Sequence, residues 1–473
     1  MVVFKINRVA KNLLSVGTSS IISQLAMFFM VAYYARILGV EGFGKVNLAQ
    51  SILVYFTMIT LFGFQTLGTK EVSKNKSNES LVVYIISIRF IVALISFIVI
   101  VIIAMTIDKD LIFKMVLIIY GLTLFPIAFN IDWFYSGTQE MQYNGIYNVL
   151  KNIIPFILLI IFLRNVNGIY LIPIFTLVGL VIAVLYQFYI YKWKKKLKLN
   201  FKVNKQMYKY YILGGIPFLI SGLLSVINLN VDSVIIGFTR TEYELGIYSS
   251  AYKIIFFLIN LIAVIFTPFF PLLISFYHEK DYKNLENILK NISKIIMLLA
   301  FPLTVGGILL SKDIIVLLFG KDYMEAYAPF IVLLLYIFIL FMRETYGYSL
   351  NAWNMEKRYL KIVSISAALN LLLNILLIPR WGLMAAAYST LVSEIINFIL
   401  MRKYCLKVVK IEYISNTLKL IIPILIMTGQ IVLFRYLNIN VLINICIAIV
   451  VYFLSIIYFK YIRLEDIKKL IKK

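Results

Sequence analysis

The sequence predicts an all-α polytopic membrane protein of about 14 transmembrane helices: two pseudo-symmetric six-helix lobes followed by two C-terminal helices. Three observations carry that expectation. Hydrophobic residues make up 62% of 473 and charged residues 14%, with a mean hydropathy of +0.93, where a soluble domain runs about half apolar and a quarter charged. The apolar residues come in runs long enough to cross hydrocarbon as helices, for which about 20 residues suffice, and no barrel-type alternation appears. Finally, the chain echoes itself: the stretch from Gly214 to Lys253 has a counterpart at 35–49.

The runs fall at roughly 12–35, 46–67, 81–106, 111–131, 146–163 and 169–190, then 210–237, 246–274, 291–310, 326–342, 360–378 and 382–401, and finally 418–435 and 440–459. The first is too long for a signal-peptide core and reads as a retained span. The domain expectation follows: an N-terminal lobe over 1–193, a basic linker at 194–209, a C-terminal lobe over 210–402, and two further helices with a basic tail at 403–473.

The net charge of +24 invites a nucleic-acid reading, but its placement argues against one. Most of the 46 Lys and Arg lie in short segments between apolar runs, on the side of the termini. That bias predicts that both termini are cytoplasmic, although the loop at 132–145 carries no positive charge. The linker YKWKKKLKLNFKVNK reads as a topology anchor held to anionic membrane lipid.

The two halves can be put in register. Leu38-Gly39 and Glu41–Gly44 match Ile236-Gly237 and Tyr243–Gly246, and GIYLIPIFTLVGLVI from Gly168 matches GLMAAAYSTLVSEII from Gly382. Six spans separate each pair, so the halves are parallel repeats with a site expected between them. In this register Asp232 faces Tyr34 in the other copy, and Lys253 faces Ser51. The fold tolerates neutral residues there, so the two charges either pair with each other or serve a transport path.

Ionisable groups inside spans mark a pathway or a pair. Arg89 lies about 12 Å into the third span, where it either lines a path or snorkels to the surface. Glu394 lies about 18 Å into the twelfth, where it either carries a proton or stays neutral among hydrogen-bonding neighbours. Lys151, Arg343 and Glu344 lie nearer the cytoplasmic ends and read as interfacial anchors or cavity residues. Asn370 and Asn374 share a helix face and read as interhelical glue, as does Gln24, which could also line a cavity.

Absences narrow the function. The one histidine, His278, has no second His beside it, and Cys405 and Cys446 fit no disulfide framework or metal spacing. No nucleotide-binding or nucleophile motif appears, and no polar segment is long enough for a catalytic domain. The expectation is a secondary transporter, not an enzyme, with no cofactor, no metal and no catalytic residue.

Four segments carry a family resemblance: ARILGVEGFGKVNLAQS, FNIDWFYSGTQEMQYNGIYNVLKNI, GIPFLISGLLSVINLNVDSVIIGFTRTEYELGIYSSAYK and SAALNLLLNILLIPRWGLMAAAYSTLVSE. Together they resemble the Wzx-type polysaccharide repeat-unit flippases of the multidrug/oligosaccharidyl-lipid/polysaccharide exporter superfamily. The resemblance implies a MATE-like bundle that alternates between inward-open and outward-open states around a cationic cavity. It implies an undecaprenyl-diphosphate-linked oligosaccharide as substrate, moved from the cytoplasmic to the outer leaflet of a bacterial cytoplasmic membrane. Arg89 and Lys253 would be the leading anion contacts, with Lys151, Arg343 and Gln24 beside them, and Asp232 and Glu394 would couple a proton or sodium ion. A polysaccharide polymerase and assembly proteins would be partners. Two other readings stand: a drug or cation antiporter of the same superfamily, expected to have an acidic cavity, and a membrane-embedded glycan polymerase or ligase. The polymerase would need a sizeable external loop, and the longest here, at 311–325, has no His.

Overall fold

A computed structural model describes residues 2–74, 79–196, 204–266, 269–409, 413–459 and 461. Pro268, linker residues 197–203, and residues 410–412, 460 and 462–473 of the C-terminal segment lie outside this set. Among the described residues every regular element is helical, and the chain divides into two compact units, Met1–Gly246 and Ile247–Lys473.

The first unit opens with α1 (Val2–Leu61), followed by α2 (Phe64–Lys74), α3 (Glu79–Thr106) and α4 (Leu111–Leu122). A straight helix as long as α1 would run about 90 Å, three times the hydrocarbon thickness of about 30 Å. It is divided at Gly39, whose φ of 66° is a left-handed value that suits glycine. The polar turn expected between the first two spans is therefore a kink at a single residue.

The expected fourth span, 111–131, breaks into α4 and α5 (Leu124–Phe129), with extended backbone at Asn130, and the expected loop at 132–145 opens with a short helix, α6 (Asp132–Gly137). Pro126 lies early in α5 and has no N–H to bond back across the break at Thr123. The unit continues with α7 (Gln142–Phe162), α8 (Leu171–Tyr189), α9 (Lys205–Thr239) and the first turn of α10 (Glu242–Phe266).

Within this unit α9 lies along the second half of α1, and glycines line the seam. A Cβ on Gly222 would meet Met58 at 2.5 Å, and one on Gly237 would meet Leu48 at 2.3 Å. At one end the backbones themselves touch: a Cβ on Gly44 would come within 1.9 Å of the Glu242 carbonyl oxygen, and one on Gly246 within 2.1 Å of that of Val40. This is the small-residue packing by which membrane helices approach without a hydrophobic drive.

The second unit holds the rest of α10, then α11 (Phe270–His278), α12 (Tyr282–Leu309), α13 (Ser311–Phe319) and α14 (Tyr327–Ala352). It ends with α15 (Glu356–Cys405), α16 (Ile414–Tyr436) and α17 (Val441–Tyr458). Gly382, with φ 61°, divides α15 as Gly39 divides α1. The expected external loop at 311–325 is helical, formed by α13 and a 3-10 turn over Lys321–Ala326. The last two helices pack on the unit: α16 lies against α12, and the Tyr452 hydroxyl of α17 donates to the Leu298 carbonyl at 3.0 Å.

Eleven described helices are long and apolar enough to cross a membrane, against the fourteen spans expected from sequence. Two of the eleven, Gly17–Lys74 and Glu356–Cys405, each contain a glycine kink. The chain is a multi-pass membrane protein.

Candidate functional site

Charged side chains inside the helices of the first unit gather around Asp132. Arg89, on α3, is fully buried. Its Nε donates to the Leu61 carbonyl at 3.2 Å and its Nη1 to the Asn130 carbonyl at 2.9 Å. Those carbonyls lie where α1 and α5 end, so the guanidinium takes up backbone acceptors that a helix end leaves open. The chain break at Asn130 is closed from other sides as well. The Ile131 amide donates to Gln187 Oε1 at 3.1 Å, and the Asp132 amide to Asn130 Oδ1 at 2.7 Å. Asp132 Oδ2 accepts from Gln65 Nε2 at 2.8 Å.

Lys151, one helix away on α7, feels the Asp132 charge, and its ammonium lies 5.4 Å from the Tyr147 ring. Among the described residues its ammonium makes no hydrogen bond or ion pair. Asn148 and Asn152 flank it in sequence and tie α7 to α1. Ser23 Oγ donates to the Asn148 carbonyl at 2.9 Å, and Asn152 Nδ2 donates to Ser23 Oγ at 2.6 Å. Gln24 follows Ser23, is half-buried, and donates to Ser20 Oγ at 3.2 Å. The structure therefore puts two candidates named from sequence, Gln24 and Lys151, on adjoining helices beside the same polar bridge.

Asp232, on α9, is buried, and its charge reaches the Tyr55 phenol of α1. Lys253, on α10 in the second unit, is half-buried.

The second unit brings Arg343 and Glu394 together, a pairing across 51 residues that no local pattern announces. Arg343 Nε donates to Glu394 Oε1 at 2.6 Å, and its Nη1 lies 2.9 Å from Glu344 Oε1. Asn397 Nδ2 donates to the other Glu394 oxygen at 3.3 Å. The Arg343 side chain is 11% exposed and committed to two carboxylates, through Nε and Nη1. Close by, Asn374 donates to Asn370 and Asn370 to Ser393 Oγ, which ties the two halves of α15 across the kink.

Outside the spans, the short turns of the first unit carry ion pairs that the sequence reading missed. Lys45 pairs with Asp110, and Lys109 pairs with Glu242 at 2.7 Å. Asp110 also caps α4, accepting from the Phe113 amide at 2.9 Å. Burial pushes both carboxyls up, but their lysines and local amides outweigh it and hold both below the usual carboxylate range. A capping Asp before an apolar run was the available signal.

Comparison with known proteins adds independent findings. A family model described as polysaccharide biosynthesis protein matches residues 9–277, and one described as lipid II flippase MurJ matches residues 145–453. The probable low-salt glycan biosynthesis flippase Agl15 of Haloferax volcanii is 27% identical over 248 residues, 51% of this chain and 52% of its own. The capsular polysaccharide biosynthesis protein CapF of Staphylococcus aureus is 25% identical over 264 residues, 54% of this chain and 64% of its own. The chain thus spans only about half to two thirds of the length of these relatives. Among solved structures, lipid II flippase MurJ in an inward closed conformation superposes with a TM-score of 0.75 at 19% identity, covering 95% of this chain and 99% of that one. An inward-facing multidrug resistance MATE family transporter gives 0.61 at 15% identity, covering 81% and 95%. These two likenesses establish the fold.

Proposed function

The chain belongs to the polysaccharide biosynthesis protein family, within the multidrug/oligosaccharidyl-lipid/polysaccharide exporter superfamily, and from that premise we propose that it flips lipid-linked glycan precursors across the membrane. It is a transporter, not an enzyme. The observation that carries the reading is the family match over 9–277, which runs from within α1 to within α11. The proposed substrate is an undecaprenyl-diphosphate-linked oligosaccharide, moved from the cytoplasmic to the outer leaflet by ion-coupled alternating access.

The physical problem suits the bundle. A diphosphate and a string of hydroxyls cannot enter hydrocarbon without losing several kcal/mol of hydration per charge, whereas a polyprenyl tail is at home there. A cation that the protein leaves uncompensated offers the headgroup a charge-assisted hydrogen bond. Lys151 is such a cation among the described residues, and Gln24 lies on the adjoining helix α1; Lys253 of the second unit stays a candidate contact on its charge and its place in α10 alone. Arg89 and Arg343, also named from sequence, are already engaged by carbonyls and carboxylates, so we leave them out of the proposed contact set. Asp232 stays a proposed ion-coupling residue.

The test is deletion of the gene, followed by analysis of the lipid-linked intermediates on each face of the membrane. Full-length units accumulating on the cytoplasmic leaflet support the flippase. Units that reach the outer leaflet but are not joined point to a polymerase and overturn it.

A further inference from the structure

The Arg343 cluster holds one positive and two negative groups, all inside the second unit. A single Arg–Glu pair would be neutral. The second carboxylate leaves one uncompensated negative charge in a setting where such charge is costly. The packing keeps it there: Gly347 sits against the cluster, and a Cβ on it would come within 3.5 Å of Arg343 Nη1 and 3.6 Å of Glu344 Oε2. We propose that the cluster binds one exchangeable proton, carried on Glu344.

The choice between the two carboxylates rests on their free oxygens. Glu394 Oε1 takes Arg343 Nε and its Oε2 takes Asn397, and the side chain is 7% exposed. Glu344 Oε1 takes Arg343 Nη1, while its Oε2 has no donor among the described residues and its side chain is 21% exposed. Glu344 Oε2 is thus the oxygen that faces away from the guanidinium and can exchange with water. Adding a proton there makes the cluster neutral while both contacts to Arg343 remain.

A metal ion fits less well. It would need several of the same oxygens, and a guanidinium 2.6–2.9 Å from two of them repels it. The other ionisable groups whose charge reaches the cluster are the phenols of Tyr252 on α10, Tyr336 and Tyr348 on α14, and Tyr359 on α15. A phenol is neutral at ordinary pH, so none supplies the missing positive charge.

As the coupling ion for transport, this proton rests on the flippase reading; as a bound proton, it does not. The test is infrared difference spectroscopy on the purified full-length protein, stepping the pH and following the C=O stretch of protonated carboxyl groups. In the wild type a band worth one carboxyl per chain appears on acidification, beyond those of exposed carboxylates. Glu344→Gln removes it, and Glu394→Gln does too, because the cluster is then neutral without a proton. Monodisperse elution of these near-isosteric variants shows that they are folded. A band unchanged by Glu344→Gln overturns the proposal. So does a wild-type band that sodium ions abolish at fixed pH, which would mark a metal site and needs no variant to observe. No step uses transport, so a failed leaflet assay would leave a proton site in a different transporter.

Discussion

Two buried clusters, one in each unit, are built from the same kinds of group with opposite balance. Around Asp132 there are two cations, Arg89 and Lys151, and one carboxylate; around Arg343 there are one cation and two carboxylates. Each contains an arginine occupied by the protein and one group left over. In the first unit the arginine caps two helix ends and the remainder is a lysine. In the second it bridges two glutamates and the remainder is a carboxylate oxygen. An intramembrane arginine is therefore poor evidence of a ligand site; the informative group is the one its neighbours leave uncompensated.

The largest effect should come from breaking the occupied half of the first cluster. Arg89→Met leaves the Leu61 and Asn130 carbonyls without their donor and strips Asp132 of a buried counter-charge. Removing one member of a buried charge network costs about 3–5 kcal/mol. The variant should show strongly reduced abundance in the membrane and a lowered melting temperature in detergent. Arg89→Lys should recover only part of the loss, since one ammonium lacks the guanidinium fork that reaches two carbonyls. Normal abundance of Arg89→Met would mean that the clamp carries little of the fold.

A smaller and different effect is expected from the group left over. Among the described residues Lys151 makes no hydrogen bond or ion pair, so Lys151→Met orphans no partner, and stability should change by less than about 1 kcal/mol. On the proposed function, export should fall about tenfold or more, the worth of one charge-assisted hydrogen bond. Lys151→Arg should retain most of it. The comparison is sharpened if Lys151→Met is abundant and inactive, and broken if it is abundant and fully active.

The same contrast explains what could be read from the amino-acid sequence. The membrane class and helical repeat were legible because hydrophobic runs and glycine turns are local signals. Gly39 lies in the turn expected between the first two spans, and Gly382 at the expected start of the twelfth. Arg89 and Arg343 were legible as unusual residues but not as occupied ones. Their partners are a carbonyl 28 residues away in one case and a carboxylate 51 residues away in the other. Glu344 reads from sequence as an interfacial anchor or a cavity residue, because it lies near a span end. Only the packing of α15 beside α14 brings Glu394 into the picture. The break at Asn130, which gives Arg89 its work, lay inside a run that hydropathy alone reads as one continuous span.

The smallest effect belongs to the ion pairs at the turns of the first unit, which test whether burial is what makes the other clusters matter. Lys45–Asp110 is the exposed one of the two, with Asp110 41% exposed, whereas Lys109–Glu242 is partly buried, at 15% and 24%. Exposed pairs contribute about 0–1 kcal/mol. Both carboxyls lie below their ordinary values in the folded chain, so the unfolded chain binds protons first as the pH falls. The stabilisation is complete above the ordinary carboxylate range, near about 4, and is lost as the pH drops through the depressed folded values. Melting temperature followed from neutral to acid pH should therefore fall slightly less in Lys45→Met than in the wild type, because the variant has already lost its share. A large difference between the two, or one already present at neutral pH and unchanged by acid, would show that exposure does not set the scale. The contrast between the two buried clusters would then need another cause.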